Sequence, residues 1–172
     1  MTDLRTDRLI LRQWRDDDLD PWAALNADPQ VREFFGGTLT REESLASMSG
    51  FRAGIAERGW GWWAVEVAAT GTLAGLAGLD PTDPGAPIEG VEIGWRLSRE
   101  TWGFGYATEA ARACLAYGFD TLNLPEIVAI AAAGNTRSHA VMTRLGMIHD
   151  PALDFADGVM PSVVYRLPNP AK

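Results

Sequence analysis

Two glycines, Gly103 and Gly105, stand one residue apart in the segment SRETWGFGYATEA, residues 98–110. Strand-forming residues precede them and an alanine-rich run follows, so they are predicted to lead from a strand into a helix. The first N–H groups of a helix have no partner within it and lie at the positive end of its dipole. Glycine lets a phosphate approach such groups closely. The spacing is therefore typical of a pyrophosphate cradle at residues 102–107, and a simple tight turn is the alternative.

The common nucleotide motifs do not fit this segment. A dinucleotide-binding fingerprint needs glycine at the position of Thr108, and a P-loop needs Gly-Lys-Ser/Thr where Thr108, Glu109 and Ala110 stand. A Rossmann fold also needs a series of parallel βαβ units, whereas the three strands predicted before the glycines are antiparallel. Any phosphate bound here belongs to another kind of cofactor.

Cysteine and histidine offer little further chemistry. The single cysteine, Cys114, excludes an internal disulfide framework and a multi-cysteine zinc site. It lies on the face of a predicted helix that is expected to pack in the core. His139 and His149 have no ligand-like spacing to cysteine or to clustered carboxylates. We therefore predict no metal site.

The periodicity of the apolar residues predicts the elements that hold the glycine loop. Strands are expected at residues 7–14, 60–68, 73–80, 88–98, 126–133 and 163–167. Helices are expected at residues 15–31, 40–59, 105–124 and 135–146. Thr40 is the predicted N-cap of the second helix, Glu43 completes a capping box, and Gly59 ends the helix. The element order predicts an α/β (α+β) fold in which helices cover a mixed sheet.

Composition limits the classes of function. The chain has 172 residues, 47% of them hydrophobic and 22% charged, which is typical of one globular domain over residues 1–172. Its formal net charge of −8 argues against a nucleic-acid partner and is compatible with a cationic one such as an amine. No apolar run reaches the ~18 residues of a membrane-spanning helix, and the first residues lack a signal-peptide core. We expect no membrane association and a cytoplasmic protein.

Several segments in order resemble one enzyme family. They are LRTDRLILRQW, DPQVREFFGG, VEIGWRLSRETWGFGYATEAARACLAYGF and NTRSHAVMTRLGM. Together they resemble the GNAT superfamily of acetyl-CoA-dependent N-acetyltransferases, and most closely the RimJ/RimL-type branch of ribosomal-protein N-acetyltransferase-like enzymes. The resemblance extends over nearly the whole chain.

The resemblance implies a twisted, mostly antiparallel sheet that splits between residues 91–98 and 126–132, with acetyl-CoA as co-substrate in the split and no metal. One departure is that Glu100 stands where the family's phosphate loop often has Gln or Arg, with Arg99 one place early. The backbone of three strand residues would pair with the pantetheine arm, the N–H groups of the glycine loop would hold the pyrophosphate, and Asn135 would bond the pantetheine amides. The implied cofactor-binding residues are Trp95, Arg96, Leu97, Trp102, Gly103, Phe104, Gly105, Tyr106, Ala107, Asn135 and Ser138.

The implied reaction is direct attack of an amine on the thioester. Glu92 is the candidate general base that deprotonates the ammonium through a water molecule; a solvated or arginine-paired glutamate is the alternative. A backbone N–H of residues 95–97 would stabilise the oxyanion. Ser138 is the candidate donor to the departing thiolate, with an exposed helix serine as the alternative. Other proton donors left open are Tyr106, Tyr117 and Tyr165, and Asn135 has a plain N-cap as its alternative role.

The acceptor end of the site is less defined. Residues 16–57, with VREFFGG among them, are expected to shape the acceptor pocket. A cluster of tryptophans could line it or fill the core instead: Trp60, Trp62, Trp63, Trp95 and Trp102. The resemblance suggests a protein N-terminus or a small amine as acceptor, and a homodimer is common in this branch. The alternative class of function is a non-catalytic acyl-CoA-binding module.

Overall fold

A single open sheet runs through the computed structural model, which describes residues 3–84, 86–156 and 160–172. Within these ranges the strand order is β1-β2-β3-β4-β5-β6-β9-β7, with β8 paired to β9. Every strand pair is antiparallel except β5 with β6, so the predicted mixed, mostly antiparallel sheet is confirmed. The strands are β1 Leu4–Arg5, β2 Leu9–Arg12, β3 Trp62–Val67, β4 Thr72–Pro81, β5 Val91–Leu97, β6 Glu126–Ala132, β7 Ile148–His149, β8 Phe155–Ala156 and β9 Pro161–Pro168.

The helices are α1 Leu19–Ala27, α2 Arg41–Arg58, α3 Tyr106–Ala116 and α4 Thr136–Arg144. The predicted helices at residues 15–31 and 105–124 are too long: α1 ends because Asp28, which precedes a proline, is extended, and a π-helical turn follows α3. Thr40 Oγ1 accepts from the backbone N–H of Glu43, whose carboxylate accepts from the N–H of Thr40, and Gly59 ends α2 at a φ of +83°. The predicted capping box is therefore present. Among the described residues no helix is both long and apolar enough to cross a bilayer.

The sheet opens between its two parallel strands. Glu92 and Val128 are the one pair in register between β5 and β6 within the described chain, and beyond them the strands diverge toward their C-terminal ends. The split predicted from the sequence is thus observed. The last residues of β5 still pair with β4 on one edge, but their other edge has no strand partner in the residues described.

Alternate side chains of β5 point to opposite faces of the sheet. Gly118, just after α3, lies so close to the sheet that a Cβ there would meet Leu79 at 3.1 Å, and Leu79 is paired with Ile93 of β5. Ile93 therefore faces α3. Because side chains alternate along a strand, Glu92, Gly94 and Arg96 face α1 and α2 instead.

Candidate active site

A cleft of about 1070 Å³ follows the free edge of β5 to the beginning of α3. It collects residues that are far apart in the chain, because the divergence of β5 and β6 leaves the space open. The residues expected at the cofactor that line it are Trp95, Arg96, Leu97, Trp102, Gly103, Gly105, Tyr106, Ala107, Asn135 and Ser138. Phe104 is not among the lining residues; its side chain is 58% exposed and stacks on Tyr106.

The glycine loop has the backbone geometry that its sequence requires. Gly103 and Gly105 have φ values of +82° and +81°, in the left-handed region that glycine adopts without strain. Gly105 is the N-cap of α3, and the next N–H groups have no acceptor within the helix. Trp102 is anchored by a 2.9 Å hydrogen bond from Nε1 to the Leu97 carbonyl. The loop therefore presents free N–H groups toward the cleft.

Basic residues surround this loop although the chain is acidic overall. Arg8 lies 4.8 Å above the ring of Tyr106 and bonds Glu109, while Arg137 lies 4.3 Å above the ring of Trp102. Sequence reasoning missed this cluster because its members come from three separate segments that only the fold brings together. The cleft-lining arginines outside β5 are Arg5, Arg8, Arg112, Arg137 and Arg144.

The position that departs from the family motif does not reach the cleft. Arg99 bonds Asp28 at 2.9 Å and Gln30 at 3.2 Å, so it holds the segment after α1. Neither Arg99 nor Glu100 lines the cleft. Side chains at these two places therefore do not substitute for the backbone N–H groups of the loop.

A second cavity of about 660 Å³ lies on the α1/α2 side of β5. It is lined in part by Trp62, Asp83 and Glu92. Its walls overlap those of the first cleft at six residues: Phe34, Phe35, Trp95, Arg96, Asn135 and Ser138. The two spaces therefore meet beside β5, and the VREFFGG segment covers the junction.

Glu92 is an uncompensated carboxylate in this second cavity. It is half-buried and makes no hydrogen bond or ion pair within the described chain, so the arginine-paired alternative is not observed. Burial first, then the charges of Asp83 and Asp80, raise the pKa of Glu92 to about 7. Asp80 stands opposite Glu92 on β4, but Arg58 is ion-paired with Asp80 and leaves Glu92 without a cation. A base whose pKa lies near neutrality is suited to proton transfer.

Asn135 and Ser138 lie where the two spaces meet. Asn135 Oδ1 accepts from the backbone N–H of Ser138 at 3.1 Å, so Asn135 caps α4 as its alternative role predicts. Its Nδ2 group makes no hydrogen bond within the described residues and is free for a ligand. Ser138 is half-buried rather than fully exposed, and it lines both cavities.

The tryptophans divide between core and cavity. Trp63 is fully buried in the core, and Trp60 stacks under Arg58 at 5.3 Å. Trp62 lines the second cavity, Trp102 lines the first cleft, and Trp95 borders both, with its side chain on the α3 face of β5 by strand alternation. Of the five, Trp62 therefore stands where an acceptor would bind.

Only one of the three tyrosines left open as proton donors lines a cavity. Tyr106 lines the first cleft. Tyr117 packs edge-on against Trp63 with ring centroids 5.5 Å apart, in the core. Tyr165 stacks between His139 and His149, at 5.8 and 5.2 Å, and lines neither cavity. No group of His, Cys, Asp or Glu able to hold a metal occurs in the described ranges.

The sheet opens beside one strand, with a glycine loop and arginines on one side and an uncompensated carboxylate on the other. Residues 8–148 match the family model described as an acetyltransferase (GNAT) domain. The chain belongs to the GNAT acetyltransferase family, as its sequence motifs indicate.

Individual relatives agree with this assignment. The chain is 34% identical to the uncharacterized protein YkkB of Bacillus subtilis over 152 residues, covering 85% of each chain. It is 26% identical to YdaF of the same organism, provisionally named a ribosomal N-acetyltransferase, over 77% of this chain and 66% of that protein. The crystal structure of an acetyltransferase from Agrobacterium tumefaciens superposes with a TM-score of 0.83 at 30% identity, covering 97% of this chain and 94% of that one.

Proposed function

We propose that this protein transfers the acetyl group of acetyl-CoA to a primary amine by direct attack of the amine on the thioester carbonyl. The observation that carries the proposal is the meeting of two cavities at the free edge of β5. One cavity ends at the glycine loop, and the other contains Glu92. Two substrates that enter from opposite sides would therefore meet at this strand, within one domain.

The residues of the first cleft fit a coenzyme A molecule. The backbone N–H of Trp102 donates to the Arg99 carbonyl at 3.1 Å, but the N–H groups at residues 103–107 and the surrounding arginines suit a pyrophosphate and a further phosphate. At residues 95–97 this edge of β5 has no strand partner. Its backbone groups, apart from the Leu97 carbonyl that Trp102 already bonds, can pair with the amides of an extended pantetheine arm, which would lie like an added strand. Asn135 Nδ2 supplies a further donor. The cluster of positive charge explains how an acidic protein would hold an anionic co-substrate.

The residues of the junction would divide the proton transfers. Glu92 would accept the proton of the attacking ammonium through a water molecule, because its raised pKa keeps it basic near neutrality. A backbone N–H at residues 95–97 would stabilise the tetrahedral oxyanion. Ser138 would donate a hydrogen bond to the departing thiolate. No covalent bond to the enzyme is needed in this sequence.

The release of free thiol from acetyl-CoA tests the proposal directly. We expect acceptor-dependent thiol release with at least some members of a panel of small amines and N-terminal peptides, and an acetylated amine of matching mass. Tight binding of acetyl-CoA without release on any acceptor would contradict catalysis and support a non-catalytic acyl-CoA-binding module.

Gly105→Val should weaken acetyl-CoA binding by about 10-fold or more. A β-branched residue does not adopt the φ of +81° at this N-cap without strain, and its side chain would stand where phosphate approaches the N–H groups. Calorimetric titration with acetyl-CoA measures the effect. Gly71→Val is the matched control, since Gly71 has a φ of +70° in the β3–β4 turn, away from the cleft. Equal affinity of both variants for acetyl-CoA would contradict the cradle.

A further inference from the structure

The side chain of Arg96 lies on the acceptor side of β5. The alternation of the strand places it with Glu92 and Gly94, facing α1 and α2, whereas its neighbours face α3 and the glycine loop. Its guanidinium lies 4.1 Å from the ring centroid of Phe35 and 5.6 Å from that of Trp22. Its side chain is therefore not expected at the pantetheine arm.

This guanidinium has almost no polar partner. Its one hydrogen bond within the described chain runs from Nη1 to Oδ1 of Asn26, at 3.1 Å. Its Nε is buried and unpaired, and no carboxylate of residues 3–84, 86–156 or 160–172 forms an ion pair with it. Burial, and then the nearby charge of Arg32, lower its pKa to about 9, so it stays charged at neutral pH. A guanidinium has five N–H donors, and most of these are free.

The surroundings of Arg96 are also positive. Arg32 is buried and donates to the backbone carbonyls of Phe35 and Gly37, at 2.8 and 2.7 Å. Its guanidinium also lies 5.4 Å from the centroid of the Phe35 ring. Neither arginine forms an ion pair within the described residues; Glu43 lies close enough to oppose the lowering of the Arg32 pKa by burial, but no carboxylate does so for Arg96. A buried cation without a counter-ion is costly, and an incoming anion would remove that cost.

The cofactor does not supply this anion. The phosphate-binding loop and its arginines belong to the first cleft, on the α3 side of the strand, and the pantetheine arm that would pass β5 is uncharged. The opposite end of the second cavity is negative, because Glu92 and Asp83 line it. One cavity therefore has an acidic end, suited to an ammonium, and a basic end, suited to a carboxylate.

We propose that the acceptor amine also bears a carboxylate, which the Arg96 guanidinium binds in the second cavity while the amine faces Glu92. This inference rests on the proposed function, since it names the substrate class of the same site. Glu92 and Arg96 are four residues apart on β5, or roughly 13 Å between Cα atoms at about 3.3 Å per residue. The shared chemistry is an aminocarboxylate, either a free amino acid or a peptide N-terminus followed by an acidic side chain.

Matched acceptor pairs test the inference. Each pair consists of an amino acid H₂N–(CH₂)n–COO⁻ and the alkylamine that lacks its carboxylate, and n is increased from pair to pair. A second series compares dipeptides that have Asp or Asn after the N-terminal residue. In the wild type, kcat/KM should favour the carboxylate member of at least one pair by about 10- to 100-fold, the range of a charged hydrogen bond. In Arg96→Met the preference should fall to near one, and Arg96→Lys should retain part of it.

Arg52→Met is the control for loss of one positive charge. Arg52 pairs with Asp16 on the exposed side of α2 and lines neither cavity, so the preference should persist in this variant. Binding of the preferred aminocarboxylate in the presence of CoA, followed by tryptophan fluorescence, gives a readout without turnover. Its affinity should fall by a similar factor in Arg96→Met.

The outcomes separate the two proposals. If amines are acetylated but carboxylate preference is absent, or equal in wild type and Arg96→Met, the inference is overturned and the proposed function stands. If acetyl-CoA affinity falls in Arg96→Met while the preference persists, Arg96 belongs to the cofactor side, and the inference is again overturned. If no amine is acetylated while the aminocarboxylate still binds through Arg96, the proposed function fails instead.

Discussion

Glu92→Gln should lower kcat/KM for acetyl transfer by about 10²- to 10⁴-fold, the contribution of a general base, while acetyl-CoA binds nearly as before. Glutamine keeps the shape of the side chain but does not accept the proton of the attacking ammonium. Glu92 lines the second cavity and not the glycine-loop cleft, so cofactor affinity should be little changed. Steady-state kinetics with acetyl-CoA saturating and the acceptor varied, and calorimetric titration with acetyl-CoA, measure the two quantities.

The pH profile separates a base from a merely structural residue. In the proposed mechanism the carboxylate form of Glu92 accepts the proton, so with a pKa of about 7 wild-type kcat/KM should rise with pH below neutrality and level off above it. In Glu92→Gln that inflection should disappear. Any rise caused by deprotonation of the acceptor amine itself should remain in both proteins. A wild-type inflection that persists in the variant would remove Glu92 from the base role.

The same substitution should stabilise the fold at alkaline pH. A glutamate whose pKa is higher in the folded than in the unfolded state favours folding below pH ~4.5, and that contribution is lost as pH rises through about 7. Glu92→Gln carries no charge to bury, so at pH 8 its free energy of unfolding should exceed that of the wild type by about 1–3 kcal/mol. Denaturation at pH 5 and pH 8 measures this. Glu89→Gln, at an exposed neighbouring position, should change neither stability nor rate.

The parts of the fold that depend on neighbouring residues could be predicted from the sequence. Thr40, Glu43 and Gly59 define the ends of α2 because caps act within one turn of the chain. The two-residue strands β1, β7 and β8 were not predicted, nor was the π-helical turn Tyr117–Thr121 after α3. Such short edge strands exist through pairing with distant segments, and no local periodicity marks them.

The candidate site was predictable where one segment carries it and not where the fold assembles it. The glycine loop and Glu92 were singled out from contiguous motifs, whereas the cleft arginines and the place of Phe35 over Arg96 required the tertiary structure. Arg96 was placed at the cofactor through its backbone alone. Its side chain lies on the opposite face because side chains alternate along a strand.

Asp18→Ala should destabilise the fold by about 3 kcal/mol, because it removes one of the two carboxylates that pair with a buried guanidinium. Arg12 is 4% exposed and donates to both oxygens of Asp18, at 2.7 and 2.8 Å, and to Glu66 at 2.7 Å. These bonds join β2, the turn before α1, and β3. Chemical denaturation at constant pH measures the loss. Asp20→Ala is the control, since Asp20 pairs with Arg41 on the surface with 80% of its side chain exposed.

The surface variant should lose no more than about 1 kcal/mol, because solvent screens an exposed pair. The double variant Arg12→Met/Asp18→Leu should be more stable than Asp18→Ala, since it removes the buried cation together with Asp18 and leaves Glu66 its ion pair with Arg15. That ordering distinguishes the cost of an orphaned charge from simple loss of packing, which would make the double variant the least stable. Arg12, Asp18 and Glu66 lie outside both cavities, so every variant that folds should retain its affinity for acetyl-CoA. Two buried guanidinium groups thus differ in the source of their counter-ion. Carboxylates of the chain pair with Arg12, whereas the carboxylate of the proposed acceptor would pair with Arg96.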